Sequence, residues 1–100
     1  MAFETGALEA TLAAAAGDDS ELLAELRRAF AESLAQQIDL LGRARCDGNW
    51  AVAAMRLKGL GASFHVRELV LLADEALESA PGEPSILRKL NLFVAAYETA

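Results

Sequence analysis

Between Leu23 and Leu41 the residues Leu23, Leu26, Phe30, Leu34, Ile38 and Leu41 recur at intervals of three and four. At 3.6 residues per turn such positions stack on one face, whereas a strand would scatter them over both. Glu25, Arg28, Glu32, Gln36 and Asp39 fall largely on the other side, so the segment reads as a long amphipathic helix with one face in a core.

The same period recurs on either side of it. A short first helix is expected from about Thr5 to Ala16, with Leu8 and Leu12 one turn apart and Gly17 supplying the left-handed residue after its end. Asp18, Asp19 and Ser20 offer acceptors to the amides of the long helix, with Glu21 three residues after Asp18 as a reciprocal cap. Cys46-Asp47-Gly48-Asn49 is turn chemistry, in which Asp47 or Asn49 can cap the next helix. That third helix, about Asn49 to Phe64, has a seam of Trp50, Ala53, Leu57, Leu60 and Phe64. After a break near His65, a fourth helix carries Val66, Leu69, Val70, Ala73, Ala76 and Leu77 and stops before Ser79-Ala80-Pro81-Gly82. Pro84 suits the first turn of a fifth, with Leu87, Leu90, Phe93, Val94 and Tyr97 inward. Four amphipathic helices with short joins predict an all-α fold, an antiparallel up-down four-helix bundle with a short extra N-terminal helix.

One hundred residues, 54% of them hydrophobic and only two of them proline, support one helical domain spanning residues 1–100. A formal net charge of -6 leaves no basic stripe for a phosphate backbone, so nucleic acid is excluded as the expected partner. The single cysteine, Cys46, can form neither an internal disulfide nor a cysteine cluster and reads as a half-buried turn residue. Asp18/Asp19, Asp74/Glu75, Glu68 and Glu78 have no His or Cys at ligand spacing, and no phosphate loop or nucleophile elbow is present, so neither metal nor cofactor is expected. Without a signal-like start or a long apolar run, a cytoplasmic chain with no membrane insertion is the expectation.

Residues 53 to 66, Ala-Ala-Met-Arg-Leu-Lys-Gly-Leu-Gly-Ala-Ser-Phe-His-Val, resemble the acceptor helix of a histidine-containing phosphotransfer (HPt) domain, whose usual pattern is Ala-His-x-Leu-Lys-Gly, small residues and an apolar-Gly pair. Leu57, Lys58 and Gly59 match in register. Met55 then occupies the acceptor histidine's place, and His65 that of the later glycine. Gly17-Asp18-Asp19-Ser20-Glu21-Leu22-Leu23, Phe30 and Asp47-Gly48-Asn49-Trp50 extend the similarity over most of the chain.

The resemblance implies a domain of two-component phosphorelay signalling that partners a response-regulator receiver domain or a sensor histidine kinase, as a monomer or weak homodimer. Phosphoryl transfer needs an exposed imidazole nitrogen, and a thioether has neither that lone pair nor a proton to lose. Met55 is therefore expected to be non-phosphorylatable, leaving a non-enzymatic docking surface of Met55, Arg56, Lys58, Gly59 and Ala62. The bland readings are interhelical filler for Met55, a solvated charge for Lys58 and close helix packing for Gly59.

His65 is the alternative phosphoacceptor. Ten residues place it about 80° around the axis from Met55 and roughly 15 Å along it, so it cannot substitute in the same geometry. Histidine tolerates left-handed backbone angles, and replacement of a helix-ending glycine is the simpler reading. Two rivals stand beside the docking domain: a working relay intermediate, through His65 or with Met55 a laboratory replacement of histidine, and a helical adaptor or dimerisation module.

Overall fold

A computed structural model describes residues 6–99, and the side chains of residues 6–97. Five helices follow one another: α1 (Gly6–Ala16), α2 (Ser20–Arg43), α3 (Asp47–Ser63), α4 (Arg67–Leu77) and α5 (Pro84–Thr99). Among the described residues there is no strand. The helical reading therefore holds, and the observed boundaries shift from the expected ones by a few residues; Thr5 lies outside the described residues.

Each boundary has a local cause. Gly17 takes φ +62° after α1, which a residue with a Cβ adopts only at a steric penalty. Asp19 is the N-cap of α2, its side chain accepting from the Leu22 amide at 3.0 Å. With the cap at Asp19 rather than Asp18, Leu22 stands at the third helical position and the reciprocal bond expected of Glu21 has no place. Pro84 opens α5, where its missing N–H removes an amide that would have no helical partner.

The core is continuous and apolar, built on Leu8 and Leu12 of α1, Phe30, Leu34, Ile38 and Leu41 of α2, Trp50 and Leu57 of α3, Leu69 of α4, and Ile86, Leu90 and Phe93 of α5. The seam expected of α2 is thus the one buried, with Leu23 and Leu26 half-buried at its start. Two expectations are corrected: Leu77 is exposed, and Ile86, not foreseen, is fully buried. Leu77 ends α4, where the following turn has left the core; Ile86 precedes Leu90 by four residues and continues its stripe back toward Pro84.

The closest helix pair is α3 with α4; α2 packs against α3 and α5, α4 against α5, and α1 against α2. Small residues allow the α3–α4 approach. Ala53, Ala54, Ala73 and Ala76 are buried, and a Cβ on Gly61 would lie 3.0 Å from Val70 Cγ2 and 3.1 Å from both Leu69 Cβ and the Val70 amide nitrogen. At the other end of the pair, the Trp50 indole Nε1–H donates to the Ala76 carbonyl at 2.6 Å. The start of α3 is thereby tied to the end of α4, and its end to the start of α4. Half-exposed ion pairs span two helix pairs, Lys58–Asp74 across α3 and α4 at 2.8 Å and Glu75–Lys89 across α4 and α5 at 2.9 Å. Pairs as exposed as these contribute about 0–1 kcal/mol each.

At the far end of the core, Phe30 meets Phe64 and Tyr97 edge-on, with ring centroids 5.1 Å and 5.5 Å away. Arg27 of α2 holds Glu9 of α1 by a two-toothed ion pair beside them. Burial raises the Tyr97 phenol above its ordinary pKa, with Glu9 adding to the shift and Arg27 offsetting part of it.

Gly59 and Gly61 of α3 should respond oppositely to a methyl group. In Gly61→Ala the overpacking of about 1–3 kcal/mol should outweigh a propensity gain of about 1 kcal/mol, lowering the unfolding free energy in urea titrations. Gly59→Ala, which meets nothing within 4 Å, should gain roughly that 1 kcal/mol. A loss at Gly59 would show that its face is already packed.

Candidate functional site

α3 runs unbroken from Asp47 to Ser63, so Val52, Met55, Gly59 and Ala62 follow at spacings of three and four along one outward stripe. All four are exposed, Met55 at 62% of its full surface. The seam facing inward is Trp50, Ala53, Ala54, Leu57 and Gly61, with Leu60 and Phe64 partly buried at its edge. The interhelical-filler reading of Met55 is thereby corrected: its side chain stands in solvent because the positions that pack on α2 and α4 lie across the helix from it.

Gly59, one turn on from Met55, also faces outward. Nothing approaches within 4 Å of where its Cβ would be, so close packing inside this molecule does not account for it. Glycine inside a helix costs about 1 kcal/mol relative to alanine. The α3 glycine that internal packing needs is Gly61, two residues on.

The two cations beside the stripe lie on opposite flanks. Lys58 reaches toward α4 and pairs with Asp74, so its ammonium group is held by a carboxylate, half in water. Arg56 faces α2, where it lines a shallow cleft with Arg43 and Leu40, and among the described residues it has no ion-pair partner. Of the expected docking residues, Met55, Arg56, Gly59 and Ala62 share the open side, and Lys58 stands at its edge, already engaged.

His65 lies beyond the end of α3 with φ +59°, the sole non-glycine residue at positive φ among those described. Its amide donates to the Ala62 carbonyl at 3.3 Å, and the Val66 amide donates to the Gly61 carbonyl at 2.7 Å. These paired bonds close the helix as a Schellman turn, with His65 in the left-handed position and Val66 buried as the apolar plug. His65 thus takes the left-handed, helix-ending backbone position expected of it. Its imidazole is exposed and sits outside the Met55–Gly59–Ala62 stripe of α3.

The opposite end of α3 departs from expectation. The N-cap is Cys46 rather than Asp47 or Asn49, and it makes no side-chain cap bond. Cys46 is also exposed rather than half-buried. Asp47 instead places its charge in the first turn, where it favours the positive end of the helix dipole.

The sequence reading missed Leu40, Arg43 and Val52, which extend the open side of α3 across to α2. The signal was present: Leu40 and Val52 are large apolar residues out of phase with the buried seams of their helices. No group of three or more His, Cys, Asp or Glu side chains able to hold a metal occurs among the described residues, and no helix there is long and apolar enough to cross a membrane.

No protein-family model, curated protein or solved structure matches the chain. The similarity to HPt domains therefore stands on the residues quoted from the sequence.

Both ends of α3 can be tested by substitution. His65→Gly should raise stability by about 1 kcal/mol, since a left-handed L-residue is disfavoured by roughly that amount. Cys46→Asp should add about 1 kcal/mol by supplying the missing cap. A drop in melting temperature for His65→Gly would mean that the imidazole makes a contact the backbone does not require.

Proposed function

We propose that the chain is an HPt-like docking domain that binds a response-regulator receiver domain or a sensor histidine kinase through the outward face of α3 and accepts no phosphate at Met55. In this reading α2 to α5 form an antiparallel up-down four-helix bundle, with α1 as the short additional helix. The observation that carries it is Gly59: a glycine inside a helix, with open space around it and an exposed methionine one turn away. Its absent side chain would leave room for another protein's backbone, and Met55 would supply an adaptable apolar contact there.

The chemistry follows from the atoms on that face. A thioether sulfur attacking phosphorus would form a sulfonium that water cleaves at once, so the Met55 position gives affinity without transfer. Lys58, one turn from Ala62 and paired with Asp74, is able to exchange that carboxylate for one on an acidic receiver surface at little net cost, since the pair is half-exposed. Arg56 offers a second cation on the other flank.

The rival in which the chain relays phosphate through His65 is disfavoured by that residue's place in the helix-ending turn. The rival in which Met55 stands for a histidine gains support from the exposure of position 55, where an imidazole would be open to a partner.

Calorimetry against receiver domains from the same cell should show binding to at least one. Gly59→Arg should weaken it by about tenfold or more, and Gly59→Ala, though more stable, should weaken it to a lesser degree. Incubation with a phosphorylated receiver should label Met55→His and leave the parent chain unlabelled. Absence of binding to every receiver and kinase, with the Met55→His protein unlabelled, would defeat the proposal.

A further inference from the structure

The seam between the last turns of α2 and the first turns of α3 opens as a cleft of about 330 Å³. Leu40, Val52 and Ala53 give it an apolar surface, and Arg43, Asn49 and Arg56 give it a polar rim. Three observations separate it from an ordinary seam. Leu40, Val52 and the adjacent Met55 are three of the large apolar side chains that remain exposed, at 40%, 50% and 62%. Two arginines line the cleft and no carboxylate does, on a chain whose net charge is -6. Arg56 has no ion-pair partner among the described residues, and Arg43 is held by Asp39 alone, in an exposed pair one helical turn long.

We infer that this cleft binds an acidic amphipathic helix of another protein. A helix laid along the seam would place apolar side chains, one turn apart, over Leu40 and Val52, and carboxylates on its flanks would reach Arg43 and Arg56. Arginine suits that role, because its planar fork engages a carboxylate through two hydrogen bonds and is weakly hydrated. The charge contrast also decides between occupants. A basic helix would meet two guanidinium groups in the cleft, and a neutral one would leave Arg56 unpaired beneath it. The Asp39–Arg43 pair presents no obstacle, since exposed pairs of this kind hold by less than about 1 kcal/mol. The inference requires neither a receiver partner nor the phosphorelay reading, because the cleft does not include Gly59 and its chemistry does not involve phosphate.

The test uses the whole chain and two synthetic stapled helices that differ in charge alone: both carry leucines one turn apart, one with glutamates on its flanks and the other with lysines at the same sites. Titration is followed by amide chemical shifts. The glutamate peptide should bind saturably, with shifts centred on Leu40, Arg43, Val52 and Arg56, about tenfold or more tightly than the lysine peptide. In the double variant Arg43→Glu/Arg56→Glu the preference should reverse. Both substitutions are at exposed sites, and gained binding of the lysine peptide reads out a folded protein directly. Three outcomes would overturn the inference: equal binding of the two peptides, no saturable binding of either, or shifts confined to other helices. A concentration-dependent doubling of mass in the absence of peptide, with the same amides shifting, would assign the cleft to a second copy of this chain instead. Loss of receiver binding in Gly59→Arg with glutamate-peptide binding intact would separate this surface from the docking face proposed above.

Discussion

The close approach of α3 and α4 at Gly61 is the constraint on which the rest of the arrangement depends. With no Cβ at that position, Leu69 and Val70 come within van der Waals reach of the α3 backbone, and the turn between the helices can be short. The Schellman bonds from His65 and Val66 close α3 immediately afterwards, and the indole of Trp50 fixes the other end of the pair to the Ala76 carbonyl. Three local devices thus set the rotation of α3 about its own axis. Once Trp50, Leu57 and Gly61 are committed to the interior, Met55, Gly59 and Ala62 have no direction left but outward.

That rotation turns a list of residues into a surface. An outward stripe with a methionine, a glycine and an alanine has little to clash with an incoming protein, and it is flanked by two cations in different states. Lys58 is occupied by Asp74, so any use of its charge involves an exchange of partners. Arg56 is unpaired among the described residues and shares a carboxylate-free cleft with Arg43 and exposed apolar groups. The electrostatic character of the candidate surface therefore rests more on Arg56 and α2 than on the lysine that the motif brings forward.

Much of the fold was legible because burial in helices is periodic. The large buried residues of α2 and α3 were readable, though Ala54 and Gly61 of α3 were not, and the left-handed role of His65 followed from its place where a glycine would end the helix. Errors gathered at ends and edges. Asp18 and Asp19 are both competent caps, and which one serves is decided by where the chain turns after Gly17. Cys46 became the cap of α3 through backbone geometry alone, with no side-chain bond to announce it. Leu77, expected in the core, is exposed and Ile86, not foreseen, is buried, because an apolar residue near a helix end is buried or not according to what the next element covers.

The sequence by itself determined that this chain is helical, where each helix lies within a few residues, and that position 55 carries a thioether instead of an imidazole. Those properties follow from the 3.6-residue period, the capping preferences and the identity of single side chains, all of which are local. Tertiary structure alone decided which of two nearby glycines, Gly59 and Gly61, is needed for packing and which stands open. It also decided that Lys58 is paired while Arg56 is not, and that Leu40 and Val52, on successive helices, line one cleft. The physical reason is the same in each case: how much room and which charges surround a side chain depend on helices brought together from elsewhere in the chain, and no period along one helix encodes that.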